Sequence, residues 1–224
     1  MNRLDRAFAQ VDAARGRATA FVEPFLPGDQ IYFLGTDLLS TAIARRTASW
    51  WQWFCGPVFS HVGICAEVPI RGEQPEVWLF ESTTLCPLPC LFAKAVVKGV
   101  QAHHPAERIA VYPGSAWRVR LTQPLSDEQN GLLSDFLRSE IGNPYDRERA
   151  ALLASWHLWA APFLEPTRNA RFCSELVGEG LKRVNRIGPD HDPESLSPNS
   201  LANLQFHSGA VWPLSQSGQS YRIK

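Results

Sequence analysis

Cys173 stands in RFCSELVGEG, Arg171 to Gly180, at the head of a run whose apolar residues 173, 176, 177, 181 and 184 share one helical face. In the first turn of a helix the backbone N–H groups lack intrahelical partners, and the positive end of the dipole favours negative charge. A thiol there can act as a nucleophile, and the same N–H groups can hold an oxyanion. Such a thiol needs a base, usually histidine, and the histidine needs a polar group that orients it. Six histidines compete for the role. His103 and His104 fall in a polar stretch, His191 in a Pro/Asp-rich loop and His207 near the tail, and all four read as solvated. His157 lies in an apolar segment and reads as a core residue. His61 instead opens the apolar strand HVGICAEV directly after an aromatic loop, where rigid backbone can aim a side chain into a cleft. Glu81 ends the next strand, after VWLF. A carboxylate behind such a run is costly to bury without a partner, and an adjacent strand would bring it to His61. The alternative is plain: Cys173 packs in the core and His61 merely begins a strand.

The elements that must position these residues follow from the pattern. LPGD is a turn before a short strand, Gln30 to Leu34, and Asp37 is placed to cap a helix through about Arg46. His61 to Val68 and Glu76 to Ser82 read as adjacent strands across RGEQP, and Leu88 to Val100 is ambiguous. Arg108 to Tyr112 and Ala116 to Leu121 read as two further strands around Pro113-Gly114. Ser126 with Gln129 three residues on is a capping-box pattern. Leu132, Leu133, Phe136, Leu137 and Ile141 follow on one face, with Gly142 as C-cap. Ser197 and Pro198 start a last short helix, and the tail after Gly209 can add an edge strand. Strands in the middle and helices at both ends predict an α+β fold, with a central antiparallel sheet or small barrel and flanking helices.

Composition sets the limits. The chain has 224 residues, enough for one domain with a real core, and we read 1–224 as a single domain. Within it stand an N-terminal helix (1–20), a Trp-rich insertion (49–59) and an apolar helical insertion (147–165). Twenty-two basic residues balance twenty-two acidic ones, which argues against nucleic acid as the main partner. The five cysteines are odd in number, and Met1 to Gly16 has no apolar core of a signal peptide, so reduced thiols and a cytoplasmic location are expected. Cys86 and Cys90 lack a second pair at zinc spacing, so neither metal nor cofactor is expected. No Gly-rich phosphate loop is present. No run reaches the ~18 apolar residues of a membrane span. Ala150 to Leu164 comes nearest and reads as a buried helix or one facing lipid at a membrane surface.

SHVGIC at 60–65, FES at 80–82, GNPYD at 142–146 and FCSELV at 172–177 stand in the order His, Glu, Tyr, Cys. Together with GDQIYF at 28–33 they resemble the circularly permuted NlpC-type papain-like cysteine hydrolases, the YiiX-like group. The resemblance spans residues 28 to 177. It implies a permuted papain-like fold in which Cys173 is the nucleophile, His61 the general base and Glu81 its orienter. Tyr145 would lie near the cysteine and assist the oxyanion, or else pack its ring in a turn. A triad is defined by geometry and not by chain order, so permutation leaves the chemistry intact. Trp51, Trp53 and Phe59 of the aromatic insertion, with Ser60 and Ser174, are the candidate substrate contacts. The expected activity is hydrolysis or acyl transfer on an amide or ester, peptide-like or acyl-lipid, with peripheral membrane contact open. A module that binds lipid or peptide in the same cleft without turnover is the alternative.

Overall fold

In the computed structural model, β1 (Gln30–Gly35) rises out of the Leu26–Asp29 turn, where Gly28 adopts φ 86°, a conformation open to glycine. Asp29 closes that turn by accepting from the Leu26 N–H at 3.0 Å, and Arg120 pairs with the same carboxylate. The residues described are 24–49, 52, 57–146, 171–207 and 211–213. The expected helix 1–20, the insertion 147–165, and Trp51 and Trp53 lie outside them, as does most of the Trp-rich insertion.

Six strands form an antiparallel sheet in the order β4-β3-β2-β1-β5-β6. After β1 come β2 (His61–Val68), β3 (Glu76–Thr83), β4 (Gly99–His103), β5 (Gly114–Leu121) and the short edge strand β6 (Val211–Pro213). Among the described residues the helices are α1 (Leu38–Thr47), α2 (Pro105–Val111), α3 (Asp127–Ser139), α4 (Cys173–Arg183) and α5 (Pro198–His207), with a 3₁₀ turn at Pro193–Ser195. The fold is α+β, as the segregated pattern predicts, and the strands make a sheet with two edges.

Strand alternation divides the core in two. Tyr32, Val62, Ile64, Phe80 and Val100 meet Leu133, Leu137, Leu176, Val177 and Leu181 in the larger cluster. There α4 packs on β2 and β3, and α3 packs on β2 and α4. Each such large apolar side chain contributes about 1.5–3 kcal/mol on burial. Ile31, Phe33, Cys65 and Leu79 face the other way and meet Ile109 and Tyr112 of the α2 region.

Caps hold most helix starts where the sequence puts them. Asp37 accepts from the Ser40 N–H at 2.9 Å, and Ser126 and Gln129 complete the reciprocal capping box. Helix α3 ends at Ser139 rather than at Gly142, which takes φ 88° three residues later in a turn. Two expectations are corrected. Arg108 to Tyr112 is not a strand. It is mostly α2, started by Pro105 at its first position and Glu107 in its first turn. And His103 is not solvated: it closes β4, paired with Leu79 of β3, and is 1% exposed. The preceding loop seals it, with Leu91 donating to the Ala102 carbonyl and Cys90 Sγ accepting from the Ala102 N–H.

Candidate active site

His61 begins β2 opposite Phe33, whose ring stacks on the imidazole with centroids 5.5 Å apart. Glu81 lies one strand over, paired with Gly63, and its carboxylate is wholly buried. A Cβ on Gly63 would stand 2.8 Å from the Phe80 carbonyl oxygen and 3.3 Å from the Glu81 Cβ, so glycine keeps this strand crossing close. Glu81 Oε2 and His61 Nε2 are 2.6 Å apart. Cys173, at the start of α4, is near enough to the same imidazole to raise its pKa. The histidine and glutamate read from the sequence are therefore paired, while Cys173 belongs to the helical layer and Glu81 to the opposite face of the sheet.

Ser82 joins the two layers. Pleating turns it away from Glu81, and its hydroxyl donates to the Arg171 carbonyl at 2.6 Å, two residues before the cysteine. Arg171 in turn binds Glu140 at 2.6 Å and Glu175 at 2.6 Å, which ties the start of α4 to the end of α3. Phe172 has no side-chain acceptor, so its N-cap position offers no cap to the first turn, while Glu175 reaches back to the Phe172 N–H at 3.4 Å. The positive end of the helix dipole thus falls at Cys173. Tyr145 forms a bridge with Arg171, and its ring lies 5.9 Å from that of Phe172.

Charge in this cluster is strongly perturbed. Burial alone would lower the His61 pKa, but the charge and hydrogen bond of Cys173, followed by those of Glu81, push it up from 6.5 to about 9. Burial alone would raise the Glu81 carboxyl. The Arg108 guanidinium, with help from His61 and His103, holds it well below the usual carboxylate range. An ionised carboxylate only accepts hydrogen bonds, so His61 Nε2 carries the proton between them. Burial, then Cys173, raises the Tyr145 hydroxyl far above its ordinary range, so the phenol stays neutral and able to donate.

The remaining sequence candidates are placed as follows. Phe59 is 1% exposed and packs edge-on against Trp117, with centroids 5.4 Å apart. Ser60 Oγ accepts from the Gly35 N–H at 3.2 Å and lies 3.2 Å from the Phe33 carbonyl. Ser174 Oγ donates to the Leu196 carbonyl at 2.6 Å and is fully buried. These two hydroxyls hold framework rather than line a cleft.

Two residues were missed. Arg108 is buried and forks onto Glu81, bonding Oε1 through Nε and Oε2 through Nη2 at 3.2 Å. The Pro105 and Glu107 helix-start signal was the clue to it. Asn199 of α5 grips the segment before His61: it accepts from the Phe59 N–H at 2.8 Å and donates to the carbonyls of Phe59 and Ala44 at 3.1 and 2.9 Å. No local sequence signal marks that role.

Sequence spacing offers no metal cluster, yet Glu81, Cys86 and His103 bring one ligand-type atom each to within 4.8 Å of one another. The chemistry does not fit a cation. Both Glu81 oxygens are engaged by Arg108 and one by His61, the guanidinium charge faces the cluster, and burial pushes the Cys86 thiol up to about 12. Cys65, Cys86, Cys90 and Cys173 are all free and buried. Among the described residues no helix is long and apolar enough to cross a membrane.

No protein-family model matches the chain, and no curated protein matches it. Among solved structures it is similar to the crystal structure of metalloprotein yiiX from Escherichia coli O157:H7, with a TM-score of 0.45 and 21% identity over 82% of this chain and 82% of that chain.

Proposed function

We propose that the protein is a thiol hydrolase or acyltransferase of permuted papain-like architecture, acting on an amide or ester bond. The observation that supports this reading best is the buried pair in which His61 Nε2 meets Glu81 at 2.6 Å, with Cys173 near enough to the same ring to raise its pKa. In the reaction, His61 holds the proton taken from Cys173 and the thiolate Sγ attacks the carbonyl carbon. The new S–C bond replaces the C–N or C–O bond, and His61 returns the proton to the leaving amine or alcohol. Water or a second acceptor then cleaves the thioester and restores the thiol. Backbone N–H groups at the start of α4, with the neutral phenol of Tyr145, are the donors for the oxyanion. The substrate class is peptide-like or acyl-lipid.

An electrophilic acyl probe tests this. Wild type becomes labelled at Cys173, seen by peptide mass spectrometry, and Cys173→Ala does not. His61→Ala lowers the labelling rate at pH 7 by about 10²-fold or more, the scale of a lost general base. Labelling that is as fast in His61→Ala as in wild type would falsify the pairing. The 1% exposure of Cys173 favours a second reading, a binding module that holds lipid or peptide without turnover. Native mass spectrometry separates the two, because a ligand released unchanged by wild type and Cys173→Ala alike supports binding alone.

A further inference from the structure

Arg108 is the largest fully buried side chain among the described residues, at 1% exposure, and its guanidinium is bonded to both Glu81 oxygens. Its guanidinium carbon sits 5.3 Å from the centre of the Phe33 ring and 5.0 Å from that of Tyr112, so two aromatic faces hold it as well as the carboxylate. Phe33 is also the ring that stacks on His61. Guanidinium, carboxylate and imidazole are thus joined through Glu81.

We infer that Arg108 is a positioning residue for the proposed thiol chemistry: its fork fixes the Glu81 carboxylate so that Oε2 meets His61, and its charge makes Glu81 an orienting group rather than a proton acceptor. The inference rests on the hydrolase reading above. Its reason is charge balance. A buried ion costs several kcal/mol unless paired, and a planar fork pairs both oxygens at once. With Arg108 present, Glu81 and Arg108 sum to zero. A proton moved from the Cys173 thiol to His61 then creates one balanced pair, a negative sulfur beside a positive ring. Without Arg108, the carboxylate charge would stand uncompensated, oppose the negative sulfur and hold the proton on His61 too firmly for return to a leaving group. The groups that face the imidazole are Glu81 from β3, Cys173 from α4 and the Phe33 ring from β1, with Arg108 of α2 and His103 of β4 acting through Glu81.

The test is an NMR titration of the His61 ring in Arg108→Gln and Arg108→Lys, with circular dichroism to establish folding and acyl-probe labelling of Cys173 alongside. Arg108→Gln removes the charge, and the His61 midpoint should rise by about one unit, as expected for exposing one neighbouring charge. A purely structural arginine would lower the melting temperature and leave that midpoint in place, and a folded Arg108→Gln with an unmoved midpoint overturns the inference. If Arg108→Gln does not fold, Arg108→Lys decides. Lysine keeps the charge but cannot fork, so labelling should slow by about tenfold or more through misplacement of the ring, whereas labelling at the wild-type rate overturns the inference. The titration needs no turnover. A failure of the hydrolase reading, seen as labelling indifferent to His61→Ala, is therefore distinguishable from a failure of the role given to Arg108.

Discussion

His61 sits where three kinds of interaction compete, and its ionisation decides how the protein responds to pH. The folded-state pKa is raised from 6.5 to about 9 because Cys173 and Glu81 together outweigh the cost of burial. A raised histidine contributes stability that is fully present below pH 6.5 and is lost as pH climbs through about 9. The expected outcome is a denaturation midpoint that falls between those limits in wild type, with that part of the slope absent in His61→Gln. Equal slopes in urea titrations of the two proteins would show that the histidine gains nothing from its partners. Glu81 has the opposite sign. Its carboxyl lies far below the ordinary range, so its contribution is present above that range and disappears only as acid protonates it.

At the scale of elements, close backbone approaches decide how the site is presented. Gly99 opens β4 at φ 119°, and a Cβ there would stand 2.0 Å from the Asn143 carbonyl oxygen. The contact is structural: Val100 donates to that oxygen at 2.9 Å, and Gly142 donates to the Val100 carbonyl at 3.0 Å. Together they pin the 142–146 turn that carries Tyr145. Gly99→Ala should cost about 1–3 kcal/mol through strain at this φ, measured by urea denaturation, and a variant as stable as wild type would mean that the turn moves freely. The helix starts show how much of this level is local. The Asp37 and Ser126 caps act within three residues and were visible as sequence patterns. Arg108 was not, because Ile109, Val111 and Tyr112 mimic a strand. The Pro105 start and the packing of Ile109 and Tyr112 under the sheet make the segment a helix instead.

For the whole molecule, the sheet is a wall between two cores, and His61 stands at the start of one of its central strands. The larger core holds Cys173, the smaller one lies beside Arg108, and neighbouring residues of a single strand serve each. Ser82 is the fastening between layers through its bond to the Arg171 carbonyl. Ser82→Ala should cost about 1 kcal/mol, the net worth of one hydrogen bond, and should slow Cys173 labelling while leaving the His61 ring titration within error of wild type. A Ser82→Ala protein that labels at the wild-type rate would show that the cysteine helix is held by its own packing alone.

The sequence by itself determined what acts over a few residues. The caps, the strand His61–Val68, the helix face of Cys173 and the α+β segregation are legible because each depends on near neighbours and a short period. The pairing of His61 with Glu81 was legible as a set of residue types in order, not as a place. Only the tertiary structure decided that β4 is a strand, that His103 is buried, that Ser60 and Ser174 bond to framework carbonyls, and that Arg108 and Asn199 support the site. The reason is physical. A buried polar side chain is defined by the partner that satisfies it, and for Arg108 that partner is 27 residues away, for Asn199 140 residues away.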